Sequence, residues 1–168
     1  MPTIYESTVP VLIHNLSNLA NLLKKGESYA DSKKIDHAIL INARLFPDMF
    51  PLSKQVQIAT DMAKGAAARL GGVDIPKFED NERTFEELQE RISKTIKFIE
   101  TIKSDLMEGA DTRDIEITVR DNVLHFSGKD YLLNWVNPNV YFHVTTAYNI
   151  LRHNGVEIGK SDFLGLNP

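Results

Sequence analysis

Leu52, Val56, Ala59, Ala63, Ala66 and Leu70 recur every three or four residues and stop at Gly71-Gly72. That spacing puts six small or aliphatic side chains on one stripe of a helix, which must be covered by other protein. Its alanine-rich interior lets a neighbouring helix come close or leaves room for a cavity. The chain therefore needs partner helices, and three other segments supply them. In the first, Val9, Leu12, Leu16, Leu19 and Leu23 form a stripe. Thr3 and Glu6 make a capping-box pattern before it, and Gly26 is expected to close it. Pro10 removes a backbone donor, so this helix is expected to kink there rather than begin near Val9. A later segment carries Phe85, Leu88, Ile92, Ile96, Ile99 and Leu106 behind a second capping box, Thr84 with Glu87. The last carries Val140, Val144, Ala147 and Leu151, with Asn137 read as N-cap, Pro138 as first helical residue, and Asn154-Gly155 as the end.

Two shorter patterns lie between these. "KKIDHAILINARLFPDM" gives a short helix with Ala38, Ile41 and Leu45 inward, broken at Phe46 because Pro47 disfavours helical geometry before it. In "DIEITVRDNVLHFSG" the period changes to two. Ile115, Ile117 and Val119 alternate with polar residues, Asp121-Asn122 supplies a turn, and Leu124 and Phe126 lie on a partner strand. A lone hairpin is marginal in water and is expected to pack on the helices. The expected architecture is mainly all-α: one domain over residues 1–168, a four-helix bundle with a short β-hairpin inserted between the third and fourth long helices.

The bulk numbers agree with that class. A chain of 168 residues buries roughly 70% of its unfolded surface in one core. Its 42% hydrophobic and 25% charged content is that of a globular protein. The net charge of −4, with both signs mixed along the chain, argues against a nucleic-acid partner, which requires a basic face. No apolar run approaches the ~20 residues needed to cross a bilayer. "MPTIYESTVP" lacks the basic and apolar regions of a signal peptide, so a cytoplasmic location is expected. The chain has no cysteine, which excludes disulfides, thiolate catalysis and cysteine-bound zinc.

Several chemical motifs fail on spacing. "GVEIGKS" nearly spells a phosphate-binding loop, but Gly155 and Gly159 enclose three residues instead of four, and a helix precedes the motif. Gly155 reads instead as a helix C-cap, with Val156 and Ile158 anchoring a tail. Helical metal sites need ligands at i and i+4, and no two of His14, His37, His125, His143 and His153 are four apart. His143 and His153 stand about 15 Å apart along the helix, too far to share an ion. His153 reads as a charge at the helix C-terminus. His143, with Ala147 and Ile150 as its i+4 and i+7 neighbours, leans toward the apolar stripe, either as a satisfied core residue or as a ligand contact. Tyr141 and Tyr148 share one side of that helix and read as packing residues. Arg44 and Asp48 are four apart and able to pair. Gln55 shares a face with Ala59, Met62 and Ala66, so its amide needs a partner, and His143 is the candidate. No G-x-S-x-G sequence supports serine catalysis, and Glu86-Glu87 belongs to a solvated helical face.

The stretches "RLFPDMFPLSKQVQIATDMAKGAAARLGG", "TFEELQERISKTIKFI" and "YFHVTTAYNILRHNGVEIGKSDFLG" resemble an uncharacterised family of bacterial and fungal proteins, a domain of unknown function. That family is similar to the DinB/YfiT-like superfamily, whose fold is a four-helix bundle, commonly dimeric. The resemblance implies a superfamily metal site of three histidines, one early in the second long helix and two at H-x-x-x-H on the last, used by some members to activate a thiol. Here Gln55 or a neighbour stands at the first position, and His143 is followed at i+4 by Ala147. The expectation is therefore no metal cofactor, with His143 the ligand should one bind. The expected pocket for a small molecule is lined by His143, Gln55, Arg44, Asp48 and Tyr148. One alternative is a zinc-, nickel- or manganese-dependent transferase or hydrolase drawing ligands from His37, Asp48 or Asp61. Another is a homodimeric interaction module.

Overall fold

The chain builds its bundle from four long helices, and each starts or ends on a local signal. The computed structural model describes residues 2–166. Helix α1 spans Ile4–Lys33 and opens on the complete Thr3/Glu6 capping box. It passes through Pro10 without a break and also through Gly26. Gly26 is therefore no cap. A Cβ there would lie 2.8 Å from Leu151 Cδ2, so the glycine lets the last helix approach α1. The true stop is Lys34, in the left-handed region at φ 56°, with its N–H on the Ala30 and Asp31 carbonyls.

Helix α2 covers only His37–Ile41. Leu40 and Ile41 are buried, whereas Ala38 is exposed and Leu45 lies beyond the helix, half-buried. The helix ends well before Phe46, so Pro47 is not what breaks it.

Helix α3, Leu52–Gly71, buries every member of the opening stripe and ends at Gly72 with φ 66°. Its small side chains let α3 pack most extensively on the last helix. Helix α4, Phe85–Thr101, begins at the Thr84/Glu87 capping box. It stops short of Leu106, which sits in a 3-10 turn, Ser104–Met107, and is partly exposed.

Strands β1, Asp114–Val119, and β2, Asn122–Ser127, pair antiparallel with Ile115 opposite Phe126 and Ile117 opposite Leu124. The two-residue connection is Arg120-Asp121, one position earlier than the sequence suggests, with Arg120 at φ 55°. Ile115 and Ile117 face the helices, and Phe126 packs on the rings of Tyr131 and Trp135.

The final helix departs most from expectation. Ser127 is its N-cap, accepting from the Asp130 N–H, and the helical backbone begins at α5, Gly128–Asp130. A π-helical stretch, Tyr131–Val136, leads directly into α6, Asn137–His153. Asn137 is thus a helical residue whose N–H reaches back to Leu132 O. That wider turn sits just before Pro138, where a regular α-turn would drive the proline ring into a carbonyl. Gly155, at φ 96°, follows α6, and buried Val156 and Ile158 hold the tail, which includes the short α7, Lys160–Phe163.

The loop between α3 and α4 is held by Lys54, which pairs with Asp80, by Gln57, which donates to Glu82 at 2.9 Å, and above all by Arg91. Arg91 is 3% exposed and donates to Thr60 Oγ1 (2.7 Å), Glu79 O (3.0 Å), Glu82 Oε1 (2.9 Å) and Asp61 Oδ1 (2.9 Å). Asp80 Oδ1 lies 3.0 Å from the same guanidinium. Burial alone would lower its pKa, but the hydrogen bond to Glu82 and the charges of Asp61, Glu82 and Asp80 outweigh that and keep it charged. Among the described residues, no helix is long and apolar enough to cross a membrane.

Candidate functional site

Helices α3 and α6 run antiparallel, because Gln55 near the start of α3 meets His143 in the body of α6, and Arg69 near the end of α3 meets Tyr131 just ahead of α6. The first of these contacts is the candidate site. Gln55 is 1% exposed, and its Nε2 donates to Phe50 O at 3.0 Å. That bond orients the amide so that Oε1 faces α6, where His143 Nδ1 lies 2.7 Å away. An amide oxygen only accepts, so the hydrogen is on Nδ1 and the Nε2 of a neutral ring carries a lone pair.

Among the described residues, every buried side-chain nitrogen or oxygen has a hydrogen-bond partner. His143 Nε2 has none among them, so that atom reaches solvent, in keeping with the 9% exposure of the residue. Burial lowers the His143 pKa from its ordinary 6.5, which keeps the ring neutral at pH 7. The arrangement offers a fixed acceptor, or a weak general base, at the surface of the α3–α6 seam. Phe142 is exposed and lies edge-on to the His143 ring, 5.2 Å between centroids.

The other sequence candidates lie apart from this pair. Arg44 is exposed, beyond the end of α2, and its Nη1 donates to Pro47 O at 3.1 Å, so no Arg44–Asp48 ion pair forms. Asp48 is exposed in the same loop. Tyr148 packs edge-on against Phe163 of α7, its ring 6.1 Å away. Neither Arg44, Asp48 nor Tyr148 bonds to His143 or Gln55. His37 pairs with Asp31 at 2.7 Å, and Asp61 with Arg91 and with Lys64, 2.8 Å away. His125 lies between Asp114 and Glu116 on the exposed hairpin face, and His14 meets Asn18.

A three-histidine metal site does not fit these residues. His143 can offer a single lone pair, on Nε2, but Gln55 spends its amide on Phe50 O and His143 Nδ1, and Ala147, one turn on and fully buried, has no ligating atom. Among the described residues, no group of three or more His, Cys, Asp or Glu side chains is placed to hold a metal ion. Sequence reasoning missed the Arg91 node and the Arg69–Tyr131 contact. Arg91 carried a signal in being the one charge on the inward side of its helix, next to Ile92 and one turn from Leu88 and Thr95.

The sequence matches the family "Domain of unknown function (DUF1993)" over residues 4–164. No curated protein matches it. The crystal structure of a DinB family member from Shewanella denitrificans superposes with a TM-score of 0.88 at 41% sequence identity, covering 98% of this chain and 93% of that one.

Proposed function

Since the chain belongs to the DUF1993 family and has a DinB-like fold, we propose that it is a small-ligand binding protein that works without a catalytic metal. The observation that carries this reading is the hydrogen bond of 2.7 Å between His143 Nδ1 and Gln55 Oε1. It commits the Gln55 amide to the protein and leaves a neutral imidazole whose Nε2 lone pair has no companion ligand one turn on, where Ala147 stands. Such a group receives a hydrogen bond from a ligand hydroxyl, thiol or N–H, and the exposed ring of Phe142 gives that ligand an apolar flank.

The test is metal analysis of untagged protein after reconstitution with zinc, nickel and manganese, alongside His143→Gln. Substoichiometric metal in both proteins is expected. Stoichiometric metal in the wild type that is lost in His143→Gln sinks the reading and favours a metal-dependent transferase or hydrolase.

A second reading has its own support. Phe46 and Phe50 in the α2–α3 loop and Phe142 on α6 are 63%, 54% and 57% exposed, and the Phe50–Gln55–His143 hydrogen bonds tie that loop to that helix. A second copy of the chain is the occupant we assign to this face, making the protein a homodimer. Light scattering on eluting protein tests it. A dimer that dissociates in Phe142→Ser is expected, and a monomer at high concentration ends the idea.

A further inference from the structure

At the other end of the α3–α6 seam, about 20 Å from Gln55 by the helical rise, the hairpin forms one side of an open cavity of about 580 Å³. We infer that this cavity is a binding site for a small organic anion, a carboxylate or a phosphate monoester with an apolar or aromatic body.

Three observations meet there. The first is charge. Lys64, Arg69 and Lys77 line the cavity, and of the three Lys64 alone is neutralised among the described residues, by Asp61 at 2.8 Å. Two cations are left without a carboxylate in a chain of net charge −4. Arg91, nearby on α4, shows the contrast: its guanidinium is saturated by protein acceptors, whereas Arg69 makes a single hydrogen bond.

The second observation is donor geometry. Arg69 Nη1 donates to the Tyr131 hydroxyl at 3.2 Å, so that oxygen acts as acceptor and its own proton is free to donate. Tyr131 is 1% exposed, and burial raises its pKa, with Arg69 opposing more weakly. The hydroxyl therefore stays protonated. Among the described residues, Arg69 keeps N–H groups without a protein acceptor and is bonded to a hydroxyl whose own proton has none, both lining the same space, and such paired donors suit a planar carboxylate or a phosphate oxygen.

The third observation is the wall. Trp135 and Phe78 flank the cations, with the Lys64 ammonium 4.0 Å from the Phe78 ring centroid. The volume falls in the range of small-molecule sites, and an apolar and aromatic wall beside a group of cations suits a ligand with one charged end.

Trp135 is the sole tryptophan of the chain and lines this cavity, so its emission gives a probe at the site. The experiment titrates the full-length protein with hexanoate, hexyl phosphate and hexylammonium. A saturable emission change with hexanoate, hexyl phosphate or both is expected, and none with hexylammonium; whichever anion saturates identifies the head group. Arg69→Gln is expected to weaken binding about tenfold or more, and Tyr131→Phe several-fold. Lys77→Ala, on an exposed side chain, keeps the test open should Arg69→Gln unfold, and is expected to weaken binding about threefold. Failure of both anions to saturate, equal binding of hexylammonium, or unchanged affinity in the folded variants overturns the inference. None of these outcomes touches the His143–Gln55 reading, whose site is the far end of the seam.

Discussion

His143 Nδ1 lies 2.7 Å from Gln55 Oε1, and the amide that carries that oxygen is itself anchored on the Phe50 carbonyl. This chain of two hydrogen bonds joins the α2–α3 loop, α3 and α6. It also chooses the histidine tautomer. Free imidazole has no such constraint, so the ring position of the hydrogen is a property of the fold.

Replacing Gln55 with Leu keeps the bulk but removes both bonds. The Phe50 carbonyl and the His143 N–H are then left without their partners, which costs about 1–3 kcal/mol. Urea unfolding measures that loss. Nitrogen-15 spectra of the imidazole are expected to show hydrogen on Nδ1 in the wild type and movement toward Nε2 in Gln55→Leu. A wild-type ring already protonated on Nε2 would contradict the tautomer assignment.

His143 also predicts a pH dependence. Its folded pKa is depressed by burial below the 6.5 expected of the unfolded chain. Below pH 6.5 the unfolded state binds a proton that the folded state resists, so the penalty from this group is absent above that pH and grows below it. Stability should fall as the pH drops through the interval between 6.5 and the lower folded value. His143→Gln should flatten that part of the curve. An unchanged slope in the variant would assign the titration to another group.

The capping boxes and the stripes of α1, α3 and α4 were legible in the sequence, because capping and burial on one face are local consequences of residue type. The errors have physical causes. Gly26 reads as a helix end from its flexibility, yet it serves the approach of Leu151, which only the three-dimensional packing reveals. Asn137-Pro138 reads as a helix start, and the π-turn at Tyr131–Val136 makes room for the proline inside a longer helix. Gln55 meeting His143 could be anticipated from two buried polar groups needing partners. Arg44 and Asp48 could not be placed, since their expected pairing assumed that α2 continues past Ile41.

Arg91 tests how much one buried charge organises. Arg91→Met removes the guanidinium and leaves the largely buried Glu82 without its cation, while Asp61 and Asp80 keep Lys64 and Lys54, at an expected cost of about 3 kcal/mol. Arg91→Lys should recover only part, because an ammonium cannot span the same acceptors. Burial alone would raise the Asp80 carboxyl, but Lys54 and then Arg91 hold it below its ordinary 3.8. Its contribution is therefore present above pH 3.8 and lost as the pH falls through the folded value. Acid unfolding of Arg91→Met should begin at higher pH than in the wild type. Coincident acid transitions would deny the node this role.

Two glycines give opposite reasons for resisting substitution, and a pair of variants separates them. A Cβ on Gly128 would sit deep inside the van der Waals radius of the Ala110 carbonyl oxygen, a backbone atom with no rotamer to escape by. The neighbouring Lys129 N–H to Asp111 O bond, 2.9 Å, clamps the same two segments together. Gly128→Ala must push the start of the last helix off the turn after the 3-10 segment, and with it the Leu132 and Tyr131 packing. A loss of at least about 2–4 kcal/mol is expected. A methyl group added at Gly109 would meet nothing within 4 Å, but the residue adopts φ 68°. Gly109→Ala therefore incurs only the left-handed backbone strain, about 1 kcal/mol, and Gly109→Asn less, since asparagine tolerates that region. Thermal melts of the three variants rank the two causes. Equal losses at 128 and 109 would mean that the contact with Ala110 relaxes, and that the hairpin end docks less rigidly than its hydrogen bonds indicate.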